Sequence, residues 1–412
     1  MNNTGKGKSI SRRHFISRAS GAAAALAAAP SVIAQSRTTE YKKSDKLVRI
    51  GVVGGRFGAE FQWHEHPHSK VTAVCDLRDD RIQRLKETYR CDVAYKDYQQ
   101  LVDDRNVDAV GVFTPMPLHV PMAVQAMEAG KHVISAVAVG MNEEECVKLL
   151  ETVKKTGTIY MMAETSYYRP EIITCRKWAR ENKFGEIFFS EAEYHHDGIE
   201  AYWFNDDGSP TWRHGLPPLH YPTHATGMVV PVTGERLTEV TAIGWGDGAE
   251  IQSPNAYNNP FWNEVGLFKT SGGHASRIAV FRKVASGGAE RGQFLGTEMS
   301  FYMPRPDGTP AIAARREKGT LVKNKYVESK INMEPYDQPD HWELLPEPLR
   351  HRTGHGGSHT FLTHEFVMAV LEKRQPAVDI YESLAYTIPG FYAHKSALDG
   401  GKTYKIPDYG RA

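Results

Sequence analysis

Residues 48–76 read VRIGVVGGRFGAEFQWHEHPHSKVTAVCD, and this stretch decides the fold. An apolar run over 48–53, typical of a buried strand, leads directly into the turn Gly54-Gly55-Arg56-Phe57-Gly58. A second apolar run ends in Asp76, 22 residues after Gly54. Glycines let the backbone approach a pyrophosphate, a following helix presents its N–H groups, and the acid accepts hydrogen bonds from ribose hydroxyls. The stretch therefore predicts a dinucleotide-binding unit contacted by the five turn residues and Asp76.

The glycine spacing departs from the usual G-x-G-x-x-G. Val53 stands where the first glycine belongs if Gly55 and Gly58 are the second and third. Alternatively the loop is one residue shorter and begins at Gly54. Asp76 favours NAD over NADP because a carboxylate repels a 2′-phosphate. Arg78 lies close enough in sequence to soften that preference, so NADP is the less favoured cofactor.

The N-terminal residues carry the pattern of an export signal. Ser11-Arg12-Arg13-His14-Phe15-Ile16 is a twin-arginine motif, and a run of small apolar residues follows over 19–29. We expect cleavage after Ala34, so that 1–34 is a signal peptide and 35–46 a polar linker. Twin-arginine export carries folded proteins, which predicts a periplasmic or extracellular enzyme loaded with its nucleotide in the cytoplasm. The alternative is a disordered basic tail.

Charge and hydropathy exclude several classes of partner. Without residues 1–34 the chain has 45 basic and 49 acidic residues, a net charge of −4. A nearly neutral surface argues against nucleic acid or an anionic membrane as partner. After the signal no run reaches the roughly 18 apolar residues of a membrane span. The four cysteines match no metal-binding spacing and are interpreted as buried thiols.

The remaining chain divides into two domains of different texture. Over 47–167, strand and helix patterns alternate, which predicts an α/β domain with a doubly wound parallel sheet of the Rossmann type. This part includes a helix over Pro121–Ala129, a helix capped by Asn142 and ended by Gly157, and a strand over Thr158–Met162.

From 168 to 412 the pattern changes. Closely spaced strand-like runs, separated by loops rich in Gly, Pro and Asn, predict an α+β domain with a large, mostly antiparallel sheet. We expect a long loop or arm over Arg315–Arg352 and a final helix over Phe361–Lys373.

Three motifs then carry a resemblance to a known family. They are Thr114-Pro115-Met116-Pro117-Leu118-His119, Ala129-Gly130-Lys131-His132-Val133, and the stretch from Ala393 to Lys402. Together they resemble the Gfo/Idh/MocA family of NAD(P)-dependent sugar oxidoreductases. The resemblance implies hydride transfer between a small carbohydrate and nicotinamide, and a homo-oligomer built on the open sheet face. It also adds Thr114, Pro115 and His119 to the cofactor-binding residues.

The chain departs from that family where its proton-accepting lysine should be. The usual Glu-Lys-Pro triplet is replaced by Ala136-Val137-Ala138. A dehydrogenase needs a group that takes the hydroxyl proton as the hydride leaves. In this chain a histidine or tyrosine must supply that group.

One branch of the family is more similar, the exported NAD-dependent glycosidases of the α-N-acetylgalactosaminidase type. Its motifs match Tyr221-Pro222-Thr223-His224, the segment from Met161 to Tyr168, and Gly354-His355-Gly356-Gly357. The branch oxidises C3 of a bound sugar, eliminates the aglycone, adds water and returns the hydride. The chain departs from it at Thr165, where the branch has asparagine, and at Ala136 and Ala138, where it has an acid and a proline.

That chemistry suggests three catalytic residues. Tyr168 is a candidate acid or base at C2, which requires a lowered pKa. His224 is a candidate to handle the C3 hydroxyl, and His220 lies one turn away if the segment is helical. Packing in the core is the alternative for Tyr168, and a satisfied structural histidine is the alternative for both histidines.

Further residues are expected around the cofactor and the sugar. Glu164 would position the ribose or the reacting hydroxyl. His355 and His359 would close the pocket from the C-terminal side, although either could be a simple loop or core histidine. Trp212 could stack on a sugar ring or pack under its loop.

Two histidine-rich stretches look like metal sites. In His64-Glu65-His66-Pro67-His68, the proline interrupts the helical spacing that zinc motifs use. In His195-His196-Asp197, adjacent strand residues point in opposite directions, although the stretch could line the substrate face. The sequence therefore predicts no metal site.

These observations predict an exported, NAD-binding, two-domain enzyme acting on a carbohydrate. They leave open whether the net reaction is dehydrogenation or redox-neutral glycoside cleavage. A non-catalytic sugar-binding protein that keeps the nucleotide as a structural ligand is the remaining alternative.

Overall fold

The computed structural model describes residues 46–246, 248, 252–317, 321–322, 325–326 and 330–410. The predicted signal peptide lies outside these residues, as does the predicted linker up to residue 45. Residues 45–412 form one compact unit. Within the described ranges, no helix has both the length and the apolar character needed to cross a bilayer.

A six-stranded parallel sheet follows the start of the described chain. Its order is β3-β2-β1-β4-β5-β6, so the strand order reverses between β1 and β4. This reversal point is where doubly wound sheets bind nucleotides, at the carboxyl ends of the strands. The prediction of a Rossmann-type sheet is confirmed. The strands are β1 (Val48–Val53), β2 (Ser69–Cys75), β3 (Ala94–Tyr95), β4 (Ala109–Val112), β5 (His132–Ser135) and β6 (Tyr160–Met162).

Four helices connect these strands, and their ends follow local sequence signals. They are α1 (Asp79–Tyr89), α2 (Tyr98–Asp103), α3 (His119–Glu128) and α4 (Glu143–Thr156). Asn142 caps α4, because its side chain accepts a hydrogen bond of 2.9 Å from the Glu145 N–H. Gly157 ends α4 with φ of 65°, a conformation that favours glycine. Both predicted helix boundaries are confirmed.

The first crossover departs from the expected pattern. Residues 54–68, all described, contain only a 3₁₀ turn, Phe57–Glu60, and no α-helix. Helix α7 (Gly354–Glu372), almost 300 residues later, packs there instead. Its Phe361 and Phe366 join Phe61, Trp63 and Ile50 in one apolar cluster. The C-terminal part of the chain thus contributes to the packing of the nucleotide-binding sheet, and the domain boundary at residue 167 stays a prediction.

The second sheet has nine strands in the order β16-β13-β12-β11-β7-β10-β9-β8-β17. Among the described strands of this sheet, only β7 and β10 pair in parallel, which confirms a large, mostly antiparallel sheet. The two-residue strands β14 and β15 pair separately. The strands are β7 (Ile187–His195), β8 (Leu237–Trp245), β9 (Asn263–Thr270), β10 (Ala275–Phe281), β11 (Ala289–Gly296), β12 (Met299–Tyr302), β13 (Ile312–Arg316), β14 (Leu321–Val322), β15 (Lys325–Tyr326), β16 (Ile331–Pro335) and β17 (Tyr404–Lys405).

Helices cover one face of this sheet. They are α5 (Pro170–Arg180), α6 (Thr223–Thr233) and α8 (Ile380–Leu398). Met228 of α6 and Leu384 of α8 share an apolar cluster with Val240 and Phe268 of the sheet. Strand residues of the opposite face, such as Ile243, are exposed. The predicted loop over Arg315–Arg352 is wrong in part, because β16 pairs with β13 at the sheet edge.

Candidate functional site

The glycine turn lies at the reversal point of the parallel sheet. At Gly54, with φ of +98°, a Cβ would lie 2.3 Å from the Phe113 carbonyl oxygen. At Gly55 a Cβ would lie 2.5 Å from the Arg81 carbonyl oxygen. Both neighbours are backbone atoms, so only glycine allows the turn to run this close to the neighbouring chain segments. The turn is therefore built as a nucleotide-binding turn requires, although the 3₁₀ helix after it is too short to supply a strong helix dipole.

Asp76 holds this turn in place. Its Oδ2 accepts a hydrogen bond of 2.7 Å from the Gly55 N–H, and its Oδ1 accepts one from the Arg78 N–H. The Arg78 guanidinium is paired with Asp80 at 2.9 and 3.0 Å. The Arg78 side chain thus makes its hydrogen bonds with Asp80 and not with Asp76. Leu77 is 81% exposed beside Asp76, which offers an apolar surface for a base. This arrangement fits NAD.

His119 connects the segments that follow β4 and β5. Its Nδ1 lies 2.8 Å from the Ala138 carbonyl oxygen and its Nε2 lies 2.9 Å from the Thr114 carbonyl oxygen. Burial lowers the pKa of His119, so the ring is neutral and donates to one of the two carbonyls. His119 therefore positions the backbone around Thr114 and Pro115. Pro115 is exposed at the carboxyl edge of the sheet, and Thr114 is half-buried there.

A buried histidine–carboxylate pair lies just after β6. His224, in the first turn of α6, places its Nδ1 2.9 Å from Glu164 Oε1. Burial opposes the charged imidazole, but the charge and hydrogen bond of Glu164 outweigh it, and the pKa of His224 is raised. A Cβ at Gly227 would lie 2.6 Å from Glu164 Cγ, so glycine lets α6 approach this closely. Glu164 Oε2 is buried without a hydrogen-bond partner among the described residues, which leaves an acceptor for a hydroxyl group.

A second carboxylate, Glu290 of β11, faces the same region. Its Oε2 accepts hydrogen bonds of 2.6 Å from Arg169 Nε and from Ser166 Oγ. Burial by itself would raise the pKa of Glu290, but Arg169 and His224 lower it to about 2. Glu290 is therefore charged at neutral pH. It was not among the residues predicted from the sequence, where it is one acid in a strand-like run.

Glu290 and its partner Arg169 line a cleft of about 330 Å³. Tyr194 also lines it, with its ring centroid 4.6 Å from that of His224. Burial raises the pKa of Tyr194, so its hydroxyl remains protonated and can donate a hydrogen bond. No sequence pattern distinguishes Tyr194, whereas the adjacent His195-His196-Asp197 was expected to line the substrate face, and these three residues line the cleft. The cleft is lined by Arg169, Tyr194, His195, His196, Asp197, Gly288, Ala289, Glu290 and His355.

Two of the predicted catalytic residues lie elsewhere. Tyr168 is buried in an apolar cluster, stacked on Phe361 with ring centroids 6.0 Å apart. Burial raises its pKa well above the usual value, which corrects the expectation of a lowered one. His220 ends a 3₁₀ turn before Pro222, and its ring contacts Phe391 and His394 at 5.0 Å. It does not share a helical face with His224, because the helix begins only at Thr223.

The predicted substrate residues are divided between two places. His355 lines the cleft, and its Nδ1 lies 2.9 Å from Nε2 of the buried His359. Trp212 packs with Met116 and Ala138 at the ends of β4 and β5, on the cofactor side. Arg56 of the glycine turn is exposed and lies 4.8 Å from the centroid of the Tyr202 ring.

Comparison with known proteins agrees with this fold. Residues 48–164 match the family model described as oxidoreductase family, NAD-binding Rossmann fold. Residues 311–412 match the model of the glycosyl hydrolase 109 C-terminal domain. The protein is thus an NAD-binding oxidoreductase-type enzyme. It is similar to the Gfo/Idh/MocA family over residues 48–164 and to the glycosyl hydrolase 109 C-terminal domain over residues 311–412.

Relatives cover nearly the whole chain. A glycosyl hydrolase family 109 protein of Solibacter usitatus is 27% identical over 415 residues, covering 90% of each chain. An alpha-N-acetylgalactosaminidase of Tannerella forsythia is 23% identical and covers 93% of this chain and 90% of its own. Among solved structures, a levoglucosan dehydrogenase in complex with NADH and L-sorbose has a TM-score of 0.70 at 17% identity, covering 88% of this chain and all of its own. This structural likeness shows the fold.

Proposed function

We propose that the protein transfers a hydride between a carbohydrate C–OH group and bound NAD. The observation that carries this proposal is the Glu164–His224 pair, which lies beside a polar cleft at the carboxyl edge of the Rossmann-type sheet. NAD, when bound, accepts a hydride and can return it. The residues of this chain then have to bind the sugar and move the hydroxyl proton.

His224 is the proposed proton acceptor. Glu164 holds the Nδ1–H of the ring, so Nε2 is the nitrogen that can take a proton from a sugar hydroxyl. The imidazolium that forms is stabilised by Glu164 and by the charged Glu290. His224 thus replaces the lysine that the family carries where this chain has Val137, a buried residue.

The cleft supplies groups suited to a sugar. Carbohydrate hydroxyls both donate and accept hydrogen bonds, and the cleft offers a protonated tyrosine hydroxyl at Tyr194 and a carboxylate at Glu290. The rings of Tyr194 and Tyr221 lie 4.6 and 5.4 Å from that of His224. A sugar held against them would present its hydroxyl to His224.

A redox-neutral glycosidase is the second candidate function. The glycosyl hydrolase 109 C-terminal domain and the alpha-N-acetylgalactosaminidase relative favour it. We propose that the chain is exported by the twin-arginine route to the periplasm or the extracellular space. There a hydride that returns to the same sugar would spare the enzyme an external electron acceptor.

We also propose a homo-oligomer through the exposed sheet face around Ile243 and Leu267.

The test begins with protein purified without added cofactor. Mass spectrometry should detect bound NAD, and a panel of nitrophenyl glycosides should then separate the two reactions. Aglycone release without lasting absorbance at the NADH band supports glycoside cleavage, whereas stable NADH supports a dehydrogenase. His224→Gln should abolish either signal, and His341→Gln, at a buried histidine outside the cleft, should retain it.

Two results would contradict the proposal. If no nucleotide binds even after incubation with NAD, the proposed hydride transfer to NAD is ruled out. Bound NAD with no turnover of any sugar or glycoside, and no effect of His224→Gln on sugar binding, would leave the non-catalytic alternative.

A further inference from the structure

Three side chains at the edge of the cleft have the composition of a metal site. Glu60 ends the 3₁₀ turn after Gly58, whereas His355 and His359 belong to the start of α7. One ligand atom from each of the three lies within 4.8 Å of the other two. The mechanism proposed above uses none of these three groups.

The backbone before α7 turns the histidines towards each other. His355 has φ of 50°, and the following Gly356 and Gly357 have φ of 67° and 93°. This left-handed stretch is costly for histidine, whereas glycine adopts it readily. It brings His355 Nδ1 to 2.9 Å from His359 Nε2.

The hydrogen bond of His359 defines which nitrogen is available. Its Nδ1 lies 3.1 Å from the Glu60 carbonyl oxygen, which can only accept, so Nδ1 carries the proton. Nε2 then has a lone pair, which accepts a hydrogen bond from His355 Nδ1 and becomes a metal ligand if His355 gives up that proton. A histidine whose other N–H is held by a backbone carbonyl is the arrangement found around metal ions.

We propose that Glu60, His355 and His359 bind a divalent transition-metal ion. Two imidazole nitrogens and one carboxylate form a ligand set that holds Zn²⁺ or Fe²⁺ and leaves coordination positions open. Nitrogens about 2.1 Å from one ion lie about 3.0 to 3.4 Å apart, so the rings need to separate by a few tenths of an ångström. The glycines that flank His355 allow this adjustment.

The residues around the site favour a bound ion whose open coordination positions face the cleft. The Phe57 ring packs on both imidazoles at 5.5 Å, and Phe61 stacks on His359 at 5.2 Å. Arg84 is half-exposed and lies 3.9 Å from the Glu60 carboxylate, so it can move away. His355 is exposed and lines the cleft, and an ion bound there would offer a free position to a hydroxyl oxygen.

The experiment measures metal binding directly and does not depend on the proposed function. The full chain, purified with a tag that contains no histidine, is stripped with a chelator and titrated with Co²⁺ while visible absorption is recorded. We expect about one Co²⁺ per chain, and saturating Zn²⁺ should raise the melting temperature by about 3 °C.

Variants locate the site. His355→Gln changes an exposed residue and should fold, yet it should weaken Co²⁺ binding by about 100-fold, as should Glu60→Gln. His341→Gln is the matched control and should bind Co²⁺ like the wild type. The proposal fails if no Co²⁺ binds, or if His355→Gln binds it unchanged. It fails equally if His66→Gln removes the ion, because the ion would then belong to the His66–His364 contact, where the ring nitrogens are 3.0 Å apart.

Discussion

The His224 imidazole and the Glu164 carboxylate form a buried pair, with Nδ1 and Oε1 2.9 Å apart. The Glu164 side chain is 0% exposed and that of His224 is 6% exposed. The pair joins the first turn of α6, a helix that covers the second sheet, to the segment that follows β6 of the parallel sheet. The buried Glu164 carboxylate is stabilised because it pairs with the His224 imidazole and accepts a hydrogen bond from the Ser166 N–H.

Replacing Glu164 by Gln should alter the pH dependence of catalysis. Neutral His224 is the proton-accepting form, so activity should fall as pH falls through its pKa. Glu164 raises that pKa, and its removal should move the acidic limb to lower pH while reducing kcat by about 100-fold, since the imidazolium loses its counter-charge. Profiles of kcat/KM against pH for wild type and E164Q would show this. An unmoved acidic limb would mean that another group controls it.

Two tyrosine variants form a matched pair. Tyr194→Phe should raise KM and lower kcat/KM by about tenfold, because it removes a hydrogen-bond donor from the cleft. Tyr168→Phe should leave kcat/KM within about twofold, since its ring packs on Phe361 in an apolar cluster. Steady-state kinetics and thermal melting of both proteins test this. The reverse order of effects would restore Tyr168 as the reacting tyrosine.

Glu290 should make stability depend on acidity. Its pKa falls from 4.5 to about 2 on folding, so its contribution is complete above pH 4.5 and is lost as pH falls towards 2. The difference corresponds to about 3 kcal/mol, of which about 2 kcal/mol is lost by pH 3. Urea unfolding at pH 5 and pH 3 should show this loss in the wild type and a smaller one in Glu290→Gln. Asp307→Asn, at an exposed loop, is the control for a general charge effect.

Asp76 should control the choice of cofactor. Asp76→Ser removes the carboxylate that repels a 2′-phosphate, so NADPH binding should tighten while NADH binding weakens by about tenfold. The N–H of Gly55 also loses its acceptor, which should lower the melting temperature slightly. Fluorescence titration with NADH and NADPH measures both affinities. If the wild type and the variant show the same preference between NADH and NADPH, the ribose of the cofactor lies away from β2.

The sequence predicted those features that depend on neighbouring residues. The glycine turn before Asp76 and the Asn142 cap are local patterns, and each formed as expected. The pairing of His224 could be predicted from the sequence only in part. The motif around His224 is a local pattern, but its partner Glu164 lies 60 residues away in the chain. Glu290 lies 124 residues from Ser166, and no local signal distinguishes it from other strand acids.

The same limit applies to the Glu60–His355–His359 cluster. Its histidines were expected at the substrate pocket, and Glu60 follows the glycine turn without a sequence signal of its own. Their meeting depends on α7 lying against the first crossover. The stretch around Pro67 offered a local signal against an α-helix between β1 and β2, since proline and the histidines His64, His66 and His68 are poor helix formers.

The position of α7 has a consequence for biosynthesis. Phe61 and Trp63 pack against Phe361 and Phe366, which are synthesised about 300 residues later. A chain that stops before residue 354 leaves the nucleotide-binding half open to water. The nucleotide-binding half can therefore complete its apolar packing only after α7 has been synthesised. Shorter chains leave apolar side chains exposed, and proteases can recognise them.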